Sequence, residues 1–403
     1  MQMTRKLPIK LLLLCLLLVA VAPAASGSRK KKARPAMEMP RLRLVMEKDV
    51  TCTRVLRSGR AVSLLDTISI TFIGDVMQHG KQLQSALIGG ADPNLPESYD
   101  YSHAFRHIEK TLSRADIAVA NMEFPTGIPP YSGYPIFSAP ESIAWEARKC
   151  GIDLFLLANN HILDKGKRGF LSTLKIYDDM RIRYAGAYRD SLQQRQENPA
   201  FFNIKGIRVA ILNFTYGTNG FSIPHPCVVN LMDSVRVKED IAKARKMGAD
   251  IIICTPHWGE EYQLRPSVHQ KRWARMLLRE GVKVIVGSHP HVPQSAEISP
   301  EHILFYSLGN YISNQTTPDY TQLELMVTIN IQKNNHTGET TLLKPEYEFL
   351  WCFKKDEFAP CYTVVPVKEL LGREELVRDK YQYRRMVVTW EKFTGQGLIK
   401  ETF

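Results

Sequence analysis

The chain has 403 residues, 44% of them hydrophobic and 23% charged, with 16 Tyr, 16 Phe and 5 Trp. Such a chain can bury a sizeable core, which excludes a disordered, collagen-like or polytopic membrane protein. The formal net charge of +12 would ordinarily point to a polyanionic partner, but residues 1–60 hold 14 Lys and Arg against 3 Asp and Glu, leaving a net of +1 for residues 61–403. The body is nearly neutral and carries no aromatic-interleaved basic motif, so nucleic acid is excluded as a partner.

Taken in chain order, Arg5, Lys6 and Lys10 precede an apolar run from Leu11 to Ala25, followed by the small residues Ser26 and Gly27. Residues 1–28 therefore read as an export signal, which places the protein in the periplasm or cell envelope. The run is short for a spanning helix, which needs about 20 residues, so cleavage is the simpler outcome. The cationic block Arg29, Lys30, Lys31, Lys32 and Arg34 resists translocation and supports the alternative, a retained membrane anchor. Residues 29–65 are basic and aperiodic, as expected of a linker.

Order is expected from Thr67 onward. Short apolar runs at 67–73, 116–120, 153–158, 207–214, 250–255, 282–287, 303–310 and 323–331 read as buried strands. Amphipathic stretches at Glu141–Lys149, Gly169–Met180, Ser234–Met247 and Ser267–Glu280 read as helices between them. Strand and helix alternate, which predicts a layered α/β fold with a largely parallel sheet over residues 66–335. From residue 336 the aromatic, strand-like pieces around Pro345, Pro360 and Pro366 predict a peripheral β-rich extension to residue 403. Six cysteines lie beyond the apolar run. Cys150 and Cys254 read as core thiols, while Cys352 and Cys361 are spaced either to bridge or to stay reduced.

Polar residues recur just beyond the strand ends: Asp75, Glu123, Asn160 with His161, His257, and His289 with His291. In an open α/β sheet, loops at the carboxyl ends of strands converge on one rim. One carboxylate pair, one amide and several imidazoles at one place suit a two-metal centre, in which Asp75 or Glu123 bridges two ions. In "SHPH" an extended chain would turn His289 and His291 to the same side. His161 is then left to act as an acid or to hydrogen-bond developing charge. His103, His107, His225, His269, His302 and His336 read as surface or structural imidazoles.

The ordered motifs "GDVM" (74–77), "NMEFP" (121–125), "ANNHILDKG" (158–166), "YGTNG" (216–220), "HWGEEY" (257–262), "GSHPHVPQ" (287–294) and "YSLGNYI" (306–312) resemble the bacterial poly-γ-glutamate capsule-synthesis family of CapA type. That family is related to the calcineurin-like metallophosphoesterases. The resemblance implies an α-β-β-α metallophosphoesterase-like sandwich with Asp75, Glu123, Asn160, His257, His289 and His291 as metal ligands and His161 as the catalytic imidazole. It implies two divalent ions, Mn, Zn or Fe. Met77 stands where the phosphoesterases carry a His ligand, and a thioether binds such ions poorly, so one site is expected to be weak unless His79 substitutes. Asn310 and Glu261 are candidate substrate contacts.

The resemblance implies an exported protein of capsule or exopolymer biosynthesis that acts on or guides an anionic polymer such as poly-γ-glutamate, alongside a membrane synthase or export complex. A metal-dependent hydrolase of phosphoesters or amides unconnected with capsule is one alternative, and a non-catalytic binding scaffold is another.

Overall fold

The computed structural model describes residues 64–354 and 361–403. The expected export segment and nearly all of the basic linker lie outside these residues. Among the described residues, no helix is long and apolar enough to cross a membrane.

The apolar runs form two sheets rather than one. The first runs, edge to edge, through Thr363–Pro366, Glu346–Phe353, Leu323–Asn334, Leu65–Val76, Ile117–Met122, Leu154–Leu156 and Arg183–Ala185. The second runs through Ile399–Glu401, Ala296–Ile298, Ile303–Phe305, Val284–Val286, Ile251–His257, Ile207–Thr215 and Ala200–Ile204. In the first sheet Leu65–Val76 pairs antiparallel with Leu323–Asn334 on one side, and the strands from Leu65–Val76 to Arg183–Ala185 on the other side are parallel, while the second is parallel at its centre with antiparallel pairs at Ala296–Ile298 and Ala200–Ile204. Strands buried on both faces are apolar at nearly every position, and Ile117–Met122 is buried throughout.

Alternate side chains of these strands go to different cores. Ile70, Phe72, Ile117 and Val119 meet Val209, Ile211, Ile253 and Val284 between the sheets. On the far side of the first sheet, Ala118, Ala120 and Phe155 lie under Ile143, Ala147, Phe170 and Leu174 from two helices. On the far side of the second, Leu212, Ile252 and Cys254 lie under Val237, Ile241, Ala274 and Leu277. The layer order is therefore α-β-β-α, as expected.

Two differences from the sequence expectation matter. The run 303–310 is not one strand: Ile303–Phe305 belongs to the second sheet, and after Gly309, at φ +87°, Asn310–Ile312 pairs with the first. The C-terminal extension does add strands to the edges of both sheets, but Lys380–Thr394 is a helix. Its Tyr, Val, Thr and Trp residues favour strand by type, yet the buried positions Gln382, Met386, Thr389 and Phe393 fall on one helical face. Asp379 caps it, accepting the Tyr381 N–H at 2.8 Å.

Cys352 and Cys361 are both thiols, and the Cys352 sulfur is directed at the Ser313 carbonyl.

Candidate metal centre

The carboxyl ends of both sheets supply the site. Asp75 closes Leu65–Val76 after a register shift at Gly74, and its N–H donates to the Gly309 carbonyl at 3.0 Å. Position 74 has no room for a side chain, because a Cβ there would lie 2.0 Å from the Gly309 oxygen. Behind it the buried Glu324 accepts the Gly74 N–H at 2.5 Å, and burial pushes that carboxyl well above its ordinary range. Glu123 follows Ile117–Met122, and Asn160 and His161 follow Leu154–Leu156. From the second sheet, His257 ends its strand and His289 and His291 follow Val284–Val286.

All six expected ligand residues are thus brought to one place, and hydrogen bonds cross between the sheets there. Asn160 Oδ1 accepts from His257 Nε2 at 2.8 Å, and the His289 N–H donates to Asp75 Oδ2 at 3.2 Å. The alignment of His289 and His291 does not come from an extended chain. Both residues take positive φ, +96° and +60°, so a strained turn points the two rings inward, with centroids 5.9 Å apart. Strain of this kind costs about 1–3 kcal/mol per residue and persists where the surroundings impose it.

Glu123, His289 and His291 present three ligand atoms within 4.8 Å of one another, and so do Asp75, Glu123 and His257. Glu123 is common to both groups. Its Oε1 is buried without a hydrogen-bond partner, as is His289 Nδ1. Two unpartnered lone-pair atoms, one on a carboxylate and one on an imidazole, are a costly arrangement for the protein alone and a fitting one for a divalent cation.

The charges agree. Burial, reinforced by His257, His291 and His161, pushes His289 well below the ordinary histidine range, leaving a neutral ring able to ligate. At His291 burial acts in the same direction, but Glu123 and Asp75 outweigh it and bring the imidazole up to about 9. Asp75 is lowered despite burial, chiefly through its bond to His291. His291 Nδ1 lies 2.9 Å from Asn310 Oδ1, and His257 Nδ1 lies 2.9 Å from Ser288 Oγ. Such contacts fix which nitrogen of each ring faces the centre.

Two expectations are corrected. Asn310 is fully buried, with Oδ1 on His291 and Nδ2 shared between Gln315 Oε1 and the Thr321 carbonyl, so it orients a ligand and has nothing left for substrate. His79 does not replace the missing third ligand. It precedes the helix Gly80–Ala86 with its Nδ1 3.1 Å from Gln82 Oε1, and it belongs to neither metal group. Met77 lies in the outer apolar core, where its sulfur accepts from the Ser313 hydroxyl. Glu261 is exposed and hydrogen-bonds Tyr262 at the edge of the centre.

His161 stands beside the ligand groups. Its Nδ1 lies 2.8 Å from Asp164 Oδ2, which also accepts the Phe137 N–H at 2.8 Å, and its ring meets Phe137 edge-on at 4.6 Å. This arrangement leaves Nε2 for chemistry. Sequence reasoning passed over both Asp164 and Asn121. The available signals were the three-residue spacing in "HILD" and the two-residue spacing in "NME", which puts Asn121 on the same strand face as Glu123.

Fold and site together define an α-β-β-α protein with a metal-competent centre at the joint edge of its two sheets. The profile of the bacterial capsule synthesis protein PGA_cap family matches residues 69–315, and the chain belongs to that family. It is 30% identical over 264 residues to the capsule biosynthesis protein CapA of Bacillus anthracis, a match covering 62% of this chain and 61% of that protein. It is 26% identical over 259 residues to the PGA biosynthesis protein CapA of Bacillus subtilis (strain 168), covering 62% and 64%. The chain thus spans less than two thirds of either relative. Among solved structures, the calcineurin-like phosphoesterase YfkN from Bacillus subtilis is similar at TM-score 0.41 and 12% identity, covering 70% of this chain and 91% of that one.

Proposed function

We propose that this protein is an exported, envelope-associated component of capsule or exopolymer biosynthesis whose metal centre acts on, or guides, an anionic polymer of the poly-γ-glutamate type. Family membership and the names of the Bacillus relatives support the polymer-related role. The basic and apolar N-terminal residues support export, with a membrane synthase or export complex as the partner.

The observation that carries the metal-dependent part is Glu123, shared by both ligand groups and unpartnered at Oε1. Glu123, His289 and His291 would hold one ion. Asp75, Glu123 and His257 would hold a second, with Asn160 beside His257. Divalent ions, whether Mn, Zn or Fe, would supply Lewis-acid polarisation of an anionic oxygen and a more acidic water. His161, held through Nδ1 by Asp164, would deliver a proton from Nε2 to a departing oxygen or nitrogen.

That His161–Asp164 pair favours a second reading, a metal-dependent hydrolase of phosphoesters or amides unconnected with capsule. A non-catalytic scaffold has no use for such a pair. Metal analysis of the purified full chain, with Asp75→Asn and His289→Ala beside it, tests the centre. A well-folded protein that binds no divalent metal, with polymer handling untouched by both substitutions, would overturn the metal-dependent role. A screen of phosphoesters and γ-glutamyl amides separates the two readings, and cell fractionation tests export.

A further inference from the structure

We propose that Asn219 is a positioning residue of the metal centre: from the tip of a separate loop it holds the Asn160 amide with its oxygen turned towards His257. The inference rests on the metal-dependent reading and adds to its ligands the group that orients one of them.

Asn160 follows the strand Leu154–Leu156 of the first sheet, whereas Asn219 follows Ile207–Thr215 of the second. Asn160 Oδ1 lies 2.8 Å from His257 Nε2, and Asn160 Nδ2 donates to Asn219 Oδ1 at 3.1 Å. A side-chain amide has donors at one end and an acceptor at the other, and only the oxygen ligates a cation. An acceptor placed at Nδ2 therefore decides which end of Asn160 faces the ligand groups. Asn219 Nδ2 stands 3.4 Å from His161 Nδ1, so one side chain reaches both the ligand and the imidazole assigned to proton transfer.

The loop is built to present this side chain. Thr218 to Phe221 is a turn closed by the Phe221 N–H on the Thr218 carbonyl at 2.9 Å, with Asn219 at φ +50° and Gly220 at φ +80°. Positive φ at both central residues is the type I′ geometry, for which Asn-Gly is a preferred pair. The Thr218 hydroxyl closes the turn a second time by donating to the Phe221 carbonyl at 2.6 Å. On the near side of the turn the Tyr216 N–H donates to the His257 carbonyl at 3.0 Å. On the far side Lys167 Nζ donates to the His225 carbonyl at 2.8 Å. Asn219 itself is exposed, and solvent alone would satisfy its amide, whereas Asn160 is buried. The contact therefore serves Asn160.

The test is calorimetric Mn²⁺ binding to the full chain. Asn219→Gly keeps the turn, because glycine takes positive φ freely, and removes the amide. It should weaken Mn²⁺ binding about tenfold, the lower end of the usual loss for a contact that orients a ligand, since water can enter the space. Asn219→Asp keeps an acceptor for Asn160 Nδ2 and should bind Mn²⁺ at least as tightly as the wild type. In an Asn160→Ala background, Asn219→Gly should cost nothing further. Undiminished binding by Asn219→Gly overturns the assignment, as does a loss that Asn219→Asp fails to repair or a further loss without the Asn160 amide. If Asn160→Ala leaves no binding to measure, the glycine and aspartate variants decide the matter. Failure of the wild type to bind Mn²⁺ would instead bring down the metal-centre reading itself, and the role of Asn219 with it.

Discussion

Asn121 donates its side-chain N–H to Asp75 Oδ1 across 2.8 Å, from the position directly paired with Asp75 on the neighbouring strand. The same nitrogen lies 3.3 Å from Glu123 Oε2 and 3.4 Å from His257 Nδ1, so one neutral amide separates and steadies the two carboxylates. Substituting Asn121→Leu should weaken Mn²⁺ binding about 10- to 100-fold, the usual cost of losing a contact that orients ligands. Asn121→Asp should act in opposite directions on the two forms. A third carboxylate lowers the melting temperature of the metal-free protein and tightens its hold on Mn²⁺. Weaker binding in both variants would reduce Asn121 to a packing residue.

Glu123 yields a cleaner separation of stability from ligation. Its buried Oε1 accepts no hydrogen bond but lies 3.5 Å from His257 Nε2 and 4.0 Å from His291 Nε2. Glu123→Gln removes the carboxylate that raises the buried His291, so it should melt lower than the wild type when both are metal-free, and added Mn²⁺ should no longer raise its melting temperature. A wild-type-sized metal shift in the variant would show that Glu123 is not a shared ligand.

Asp164→Asn keeps an oxygen to accept the Phe137 N–H but removes the charge that faces His161 Nδ1. On any ester or amide the wild type turns over, kcat should fall about 10²- to 10⁴-fold. Bound metal, measured by elemental analysis, should not change. Undiminished turnover would mean that His161 is not the proton donor.

His79 predicts a pH dependence. Burial, helped by His291 and His161, lowers its imidazole to about 4, against the Gln82 contact that raises it. Its folded pKa lies below the unfolded value, so the unfolded chain binds more protons between about pH 6.5 and 4 and stability declines as pH falls through that window. The contribution amounts to about 3 kcal/mol between pH 7 and pH 4. Urea unfolding of His79→Gln should show a shallower loss over that range than the wild type, and identical slopes would contradict this account.

Much of the site was legible in the sequence for a local reason. A ligand just beyond an apolar run is pushed to a strand end by the burial of that run, so Asp75, Glu123, Asn160, His257, His289 and His291 could be chosen without coordinates. Asn310 was misplaced because "YSLGN" looks like one strand with a polar end. Its turn at Gly309 carries the chain from one sheet to the other, and only the pairing of Asn310 with Asp75 shows that its amide serves His291. Lys380–Thr394 was misread because residue type outweighed the spacing of its buried positions.

Strand and helix periodicity, the neutral body beside a basic N-terminus, and the polar residues that stand just beyond the strand ends are properties of short stretches, and the sequence alone determines them. The tertiary structure decided how the strands divide into two sheets, that Glu123 stands in both ligand groups, that Asn121 ties it to Asp75, and that Asn219 reaches Asn160 from a separate loop. Those relations join residues tens to hundreds of positions apart. They depend on which apolar faces meet when the two sheets close over a common core, and no local pattern encodes that choice.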